Sequence, residues 1–266
     1  MKNIATILRS EVVRMSHQAR TPHLGSALSC VDILEVLYRG VLRIDPSNYQ
    51  DPDRDRFILS KGHAASALYA TLAHRGFFPL DVLNTYAQSG SCLPEHPSPY
   101  CVPGVEIGSG SLGHGLSVAS GISLAARMQN RMYRVFVLLS DGECNEGSTW
   151  EGALFASAHN LESLVVIIDY NKWQATGRSD EVMKLKPLAQ KWKAFGWSVY
   201  EVNGHDSLEL ADVFRDIPDN TGKPVVIVAH TVKGKGISFM EDDNNWHYRV
   251  PNDEELSSAV AELMRI

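Results

Sequence analysis

The sequence has 266 residues, 44% of them hydrophobic and 21% charged, with a formal net charge of −6 and a pI of about 5.9. An acidic balance without a basic run argues against nucleic acid or an anionic membrane as a partner. The four cysteines, Cys30, Cys92, Cys101 and Cys144, contain no C-x-x-C pair, which argues against a zinc knuckle or a redox dithiol and suits a reducing, cytoplasmic setting.

Ile4, Ile7, Leu8, Val12 and Met15 recur at helical spacing, interrupted by Arg9, Glu11 and Arg14, so the first segment predicts a helix and no signal sequence. A second helix is expected through CVDILEVLYRGVL, ahead of a polar break at DPSNYQDPDRDR. FILS predicts a short strand and AASALYATLAHRG a helix of small residues. Four prolines fall within the twelve residues from Cys92 to Pro103, which predicts an irregular loop. VFVLLS, SLVVIID, WSVYEV and PVVIVAHT then predict strands separated by helical patterns, and the longest apolar runs are too short to span a bilayer. Ser148 with Glu151 predicts a capping box at the start of TWEGALFASAHN. Pro187 is expected to open a helix at LAQKWKAFG, with Gly196 past its end.

No repeat, low-complexity tract or linker divides the chain, so residues 1–266 are expected to form a single domain. Apolar strands alternating with amphipathic helices predict an α/β fold: a doubly wound, mostly parallel sheet with helices on both faces. Ligands of such sheets sit at the carboxyl ends of the strands. GSGSLG at 108–113 matches a dinucleotide fingerprint, but no Asp or Glu follows it before Asp141, so a ribose-binding acid is missing. The glycines would still let backbone approach a ligand closely ahead of a helix of small residues, although on this segment alone tight helix–sheet packing is the better explanation.

VFVLLS ends in Asp141–Gly142, and the next strand ends thirty positions later in Asn171. Neighbouring parallel strand ends would bring a carboxylate and an amide oxygen together. That pair suits Mg²⁺, which takes few protein ligands and shares the rest with phosphate oxygens. Gly142 would let a backbone N–H face a phosphate. Asp-Gly and Asn-Lys are also common turns after strands, and the pairing alone does not choose.

The pairing resembles the thiamine diphosphate motif, Gly-Asp-Gly followed some thirty residues later by Asn, with Ser140 replacing the first glycine. The resemblance extends through TPHLGS (21–26), DRFILSKGHAASALYA (55–70), EHP (95–97), GSLGHG (110–115), SDGECNEGSTWE (140–151), TVKGKG (231–236) and NNWHYRVP (244–251). In this order the segments resemble the N-terminal, diphosphate-binding domain of transketolases. The resemblance implies the thiamine diphosphate-binding fold and places Asp141, Asn171 and the Trp173 carbonyl on Mg²⁺, with Ca²⁺ or Mn²⁺ able to substitute. It implies cofactor contacts from Ser26, His63, Gly110, Ser111, Leu112, Gly142, Asn171, Lys233 and His247. His23, His96 and His247 would face the substrate, where an imidazole can donate or accept a proton near neutral pH. Glu146 resembles a family carboxylate near the contact between subunits, and an exposed loop acid is the plain alternative. The departures are Leu24, where many members have proline, and the loop SPYCVPG; both bear on the substrate side.

The same resemblance implies that an activating glutamate comes from a pyrimidine domain, which these 266 residues do not resemble. A partner carrying that domain, an α₂β₂ assembly and sugar phosphate substrates are therefore expected. The alternatives are the α subunit of a split 2-oxo acid dehydrogenase, and a cofactor-binding regulatory subunit without turnover. The histidine motifs and TVKGKG argue against the first, and Asp141, Asn171 and the histidines against the second.

Overall fold

VFVLLS and LVVIIDY bury every one of their residues, which strands can do only when both faces of their sheet are covered. The computed structural model, which describes residues 3–265, supplies that cover. Strands β1 (Arg56–Leu59), β2 (Val135–Ser140), β3 (Leu164–Tyr170), β4 (Ser198–Asn203) and β5 (Val225–His230) form one parallel sheet in the order β1-β2-β3-β5-β4. The polar, half-exposed pattern of β4 fits its place on the edge.

Side chains alternate between two apolar layers, as a strand's two-residue period requires. Phe136, Leu138, Val165, Ile167, Val225 and Ile227 pack on helices α1 (Ile4–Ala19), α2 (Leu24–Ser29), α3 (Val31–Val36) and α4 (Ala65–His74). Val135, Val137, Leu139, Val166, Ile168 and Val228 face the other way, onto α5 (Gly115–Met128) and α6 (Gly147–Ala158). Beyond α7 (Ser179–Val182), helix α8 (Leu188–Ala194) joins this second layer through Trp192, while α9 (Ser207–Arg215) and α10 (Asp253–Leu263) join the first through Phe214 and Leu263. Among the described residues no helix is long and apolar enough to cross a membrane.

The expected strands form where the periodicity puts them, and the helices form with two corrections. The helix expected through CVDILEVLYRGVL is α-helical only over Val31–Val36 and continues as a π-helical segment over Leu37–Val41. The Ser148–Glu151 capping box does not form: α6 begins at Gly147, with Glu146 in the cap position and no side-chain cap bond. A 3₁₀ turn over Gly142–Asn145 runs almost directly into α6, and Ser148 lies against Gly113 instead. A capping box does form at α10, between Asn252 and Glu255. Cys92–Pro103 is irregular, as four prolines require.

Candidate functional site

The carboxyl ends of β1, β2, β3 and β5 release Lys61, Asp141, Asn171 and Lys233 toward one region, and the register Ser140↔Asp169 sets Asp141 beside Asn171. Asp141 is fully buried. Its Oδ1 accepts from Gly142 N at 2.9 Å, and its Oδ2 from Lys172 N at 2.9 Å and Ser179 Oγ at 2.8 Å. None of these donors carries a charge. Burial, with a smaller contribution from Asp169, pushes the carboxyl up to about 7 although the Ser179 hydrogen bond opposes the rise. A cation would supply the charge this carboxylate lacks. Asn171 Oδ1 accepts from Trp173 N at 3.0 Å and keeps a lone pair for a ligand. Asp141 and Asn171 offer a cation one carboxylate and one amide oxygen, and among the described residues no cluster of three or more His, Cys, Asp or Glu could hold a metal. The Gly142 N–H is given to Asp141 and would be shared with a phosphate.

Beneath this pair lies a buried ion pair. Asp169 follows Val165 and Ile167 on the sheet face covered by α2, so its carboxylate emerges inside the protein. Its Oδ2 accepts from Ser29 Oγ at 2.6 Å, from Asn171 Nδ2 at 3.4 Å and from the Lys61 ammonium, and its Oδ1 from Thr231 Oγ. Lys61 also reaches the Ser26 carbonyl at 2.8 Å. Both charged side chains have 0% exposure. Burial opposes both charges, yet Lys61 holds Asp169 below the usual carboxylate range and Asp169 holds Lys61 above the usual ammonium range.

The lowered carboxyl contributes stability above its unfolded-state value and loses it in acid. The raised ammonium contributes below its unfolded-state value and loses it in alkali. The pair is therefore complete across neutral pH. Lys61→Met should cost about 3–5 kcal/mol in urea denaturation at pH 7, because Asp169 is left charged and buried. Adding Asp169→Asn should recover part of that loss. A Lys61→Met variant with wild-type stability would show that Asp169 finds another counter-charge.

Four histidine rings gather above this floor. His23 is the residue before α2, at φ 70°, and its N–H donates to the His247 carbonyl at 2.7 Å. Its ring centroid lies 5.4 Å from His63, 5.8 Å from His96 and 4.8 Å from His247. Burial first, then nearby His96 and Lys233, push His23 down to about 4; burial, Lys233 and His23 push His247 down to about 3. His63 falls for the same reason, with Lys61 beside it. These three rings are neutral at pH 7, each offering one donor and one acceptor.

The loop ahead of α5 closes one side. Gly110 has φ 143°, and a Cβ there would sit 2.7 Å from His96 Cδ2. Ser111 is exposed and Leu112 half-buried. Buried Glu143 ties this loop to the sheet by accepting from Gly113 N at 2.9 Å and from the Ser60 hydroxyl. On the opposite side the Arg178 guanidinium stacks 3.8 Å over the Trp173 ring and forks onto Asp242 at 2.6 Å, while the Trp173 indole donates to Asp242 at 2.8 Å.

His23, Ser26, His63, His96, Gly110, Asp141, Gly142, Asn171, Trp173, Lys233 and His247 thus lie at one end of the sheet. Glu146 is exposed, and Lys235 pairs with Glu241 at 3.0 Å. Sequence reasoning missed Lys61, Asp169 and Glu143. The available signal was a charged residue at the end of an otherwise apolar strand, twice in IIDY and SKGH.

Residues 1–263 match the family model described as the transketolase, thiamine diphosphate binding domain. The chain is 42% identical over 255 residues to an apulose-4-phosphate transketolase subunit of Phocaeicola vulgatus, covering 96% of this chain and 90% of that protein. It is 43% identical to the protein of the same name in Actinobacillus succinogenes, covering 98% and 95%. Among solved structures, a Campylobacter jejuni transketolase superposes with a TM-score of 0.90 at 29% identity, over 98% of this chain and 42% of that one. A Leishmania mexicana transketolase gives 0.91 at 28% identity, over 98% and 41%. The chain spans about two-fifths of those transketolase chains.

Proposed function

This chain belongs to the transketolase family through its thiamine diphosphate binding domain, and from that premise we propose that it is the diphosphate-binding subunit of a split transketolase. The reaction is transfer of a two-carbon ketol unit from a ketose, taken to be phosphorylated, to an aldehyde. The observation that carries this reading is the convergence of His23, His63, His96 and His247 beside Asp141 and Asn171 at the carboxyl end of the sheet. Both bacterial relatives are named as single subunits of a transketolase for a sugar phosphate and are matched over 90% and 95% of their lengths, which supports a separate partner and a substrate of that class.

Residues 1–266 act in this reading as one diphosphate-binding unit. Thiamine diphosphate, when bound, supplies the carbon nucleophile and the electron sink. Asp141, Asn171 and the Trp173 carbonyl would hold Mg²⁺, or Ca²⁺ or Mn²⁺ in its place. Gly142, His63, Ser26 and Lys233 would line the diphosphate side. Gly110, Ser111 and Leu112 would lie along the rings, where glycine allows close backbone approach. His23, His96 and His247 orient the sugar's oxygens and hold protons at them, work to which imidazole side chains are suited.

His96→Ala and His247→Ala should retain the cofactor and lose about 10²-fold or more in kcat/KM, the scale of a positioned acid or base. His74→Ala, on α4 away from the histidine cluster, should be nearly silent. Equal steady-state behaviour of all three variants would overturn the division between substrate-facing and structural histidines.

A further inference from the structure

Lys233 is a fully buried lysine whose ammonium is held by two side chains, Asn244 Oδ1 at 2.7 Å and His247 Nδ1 at 3.1 Å. Asn244 has no freedom to turn: its amide nitrogen donates to the Ala175 carbonyl at 3.0 Å, so its oxygen must face the lysine. An ammonium has three donors and no acceptor, so His247 Nδ1 can only accept. A neutral imidazole that accepts at one nitrogen carries its proton on the other. His247 Nε2 therefore donates to His23 Nδ1, 3.2 Å away. His23 must then carry its own proton on Nε2. That nitrogen faces the proline-rich loop, 3.9 Å from Glu95 Oε1, on the side where the His96 ring meets His23 edge-on.

We propose that Lys233 is a positioning residue that fixes the tautomers of His247 and His23 in series, so that His23 presents an N–H donor to the substrate. The inference rests on the reading of His23 as a substrate-facing residue, and it adds a direction to that role. A donor at Nε2 recognises a carbonyl or alkoxide oxygen and discriminates against a hydroxyl that must itself donate.

The electrostatics agree with the geometry. Burial first, then Lys61, push Lys233 down to about 8, with Asp141, Asp169 and Asp243 acting against them, so the ammonium is charged at pH 7. Both rings stay neutral there. The groups facing the chain of bonds are Lys61 and His63 after β1, Glu95 and His96 from the proline-rich loop, and, around Lys233 itself, Asp141 after β2, Asp169 on β3 and Asp243. Above about pH 8 the lysine becomes an amine with a lone pair, and the order of donors and acceptors is no longer imposed.

The test is ¹⁵N NMR of the imidazole nitrogens in the labelled full chain at pH 7. Wild type should show Nε2–H, with Nδ1 unprotonated, for both His23 and His247. Lys233→Met should lose the single tautomer on both rings, and Lys233→Arg should keep it. Wild type titrated from pH 7 to about pH 9.5 should lose it as well, which keeps the test available if Lys233→Met fails to fold. An Nδ1–H form on either ring in wild type at pH 7, or tautomers unmoved by the substitution or by the titration, would overturn the proposal. In the assembled enzyme Lys233→Met should lower kcat/KM for a ketose phosphate by about tenfold or more, with partial rescue by Lys233→Arg; a wild-type value would also overturn it. The ring spectra need neither cofactor nor substrate, so a failure of the ketol-transfer reading would leave the tautomer result standing, and the reverse.

Discussion

Replacing Asp141 by alanine should abolish metal-dependent binding of thiamine diphosphate in the assembled enzyme. The carboxylate is fully buried and accepts only from neutral donors, so its unbalanced charge is the feature that a cation would complete. Loss of groups that merely support a metal ligand costs about 10–100-fold in affinity, and loss of the only proposed carboxylate ligand should cost at least the upper end of that range. The fold should survive. The substitution leaves Ser179 Oγ and the N–H groups of Gly142 and Lys172 without their acceptor, at about 1–3 kcal/mol for each group that stays dry. It also removes a carboxyl whose burial opposes its charge. Asp141→Asn separates charge from shape: it should keep much of the stability and still lose Mg²⁺-dependent affinity. Calorimetry finding near wild-type cofactor affinity in Asp141→Ala would sink the metal assignment.

The second large effect concerns the partner. Purified alone, the chain should show no ketol transfer at any cofactor concentration, and a second chain carrying a pyrimidine domain should restore it. The buried acids Glu143 and Asp169 at this end of the sheet have other occupations. Glu143 is buried and tied to Ser60 and Gly113, and Asp169 is tied to Lys61. Neither is free to act as the acid that activates the aminopyrimidine. Val118 on α5 and Leu154 and Phe155 on α6 expose 39%, 59% and 40% of their surface, an apolar face that a partner would cover. Restored turnover should vanish when the partner's activating glutamate becomes alanine, while the complex persists in sedimentation. A coupled assay on the two chains separately, then on their mixture, decides the matter. Substantial turnover by this chain alone would overturn the split-enzyme reading.

The strands were legible because parallel strands covered on both faces read as unbroken apolar runs, and VFVLLS and LVVIIDY have few other interpretations. The juxtaposition of Asp141 and Asn171 followed from that reading, since consecutive parallel strands joined by one helix are commonly neighbours. The α6 capping box failed because the 3₁₀ turn over Gly142–Asn145 leads the chain into α6 at Gly147, which puts Ser148 inside the helix instead of at its cap. Lys61 and Asp169 were not legible as a pair: they lie 108 positions apart, one just past β1 and the other on β3, with β2 between those strands. Only the meeting of strand ends with α2 brings them together. The resemblance to transketolases indicated four histidines, but no spacing in the sequence could show that Lys233 stands behind two of them.

His23 and His247 are 224 positions apart in the chain and share a hydrogen bond. Bringing together segments of such separation costs loop-closure entropy that one hydrogen bond does not offset, so this pocket depends on the other long-range contacts of the fold being in place. Partly folded chains could hold the β2–β3 unit, with Asp141 and Asn171, and still have no substrate end. A ligand that touches both ends would act as a clasp on the completed fold, adding about 2.7 kcal/mol at a hundred times its dissociation constant. Protection of the 23–29 and 244–247 segments from protease would then report occupancy of a site whose metal-binding end, at Asp141 and Asn171, lies elsewhere in the chain.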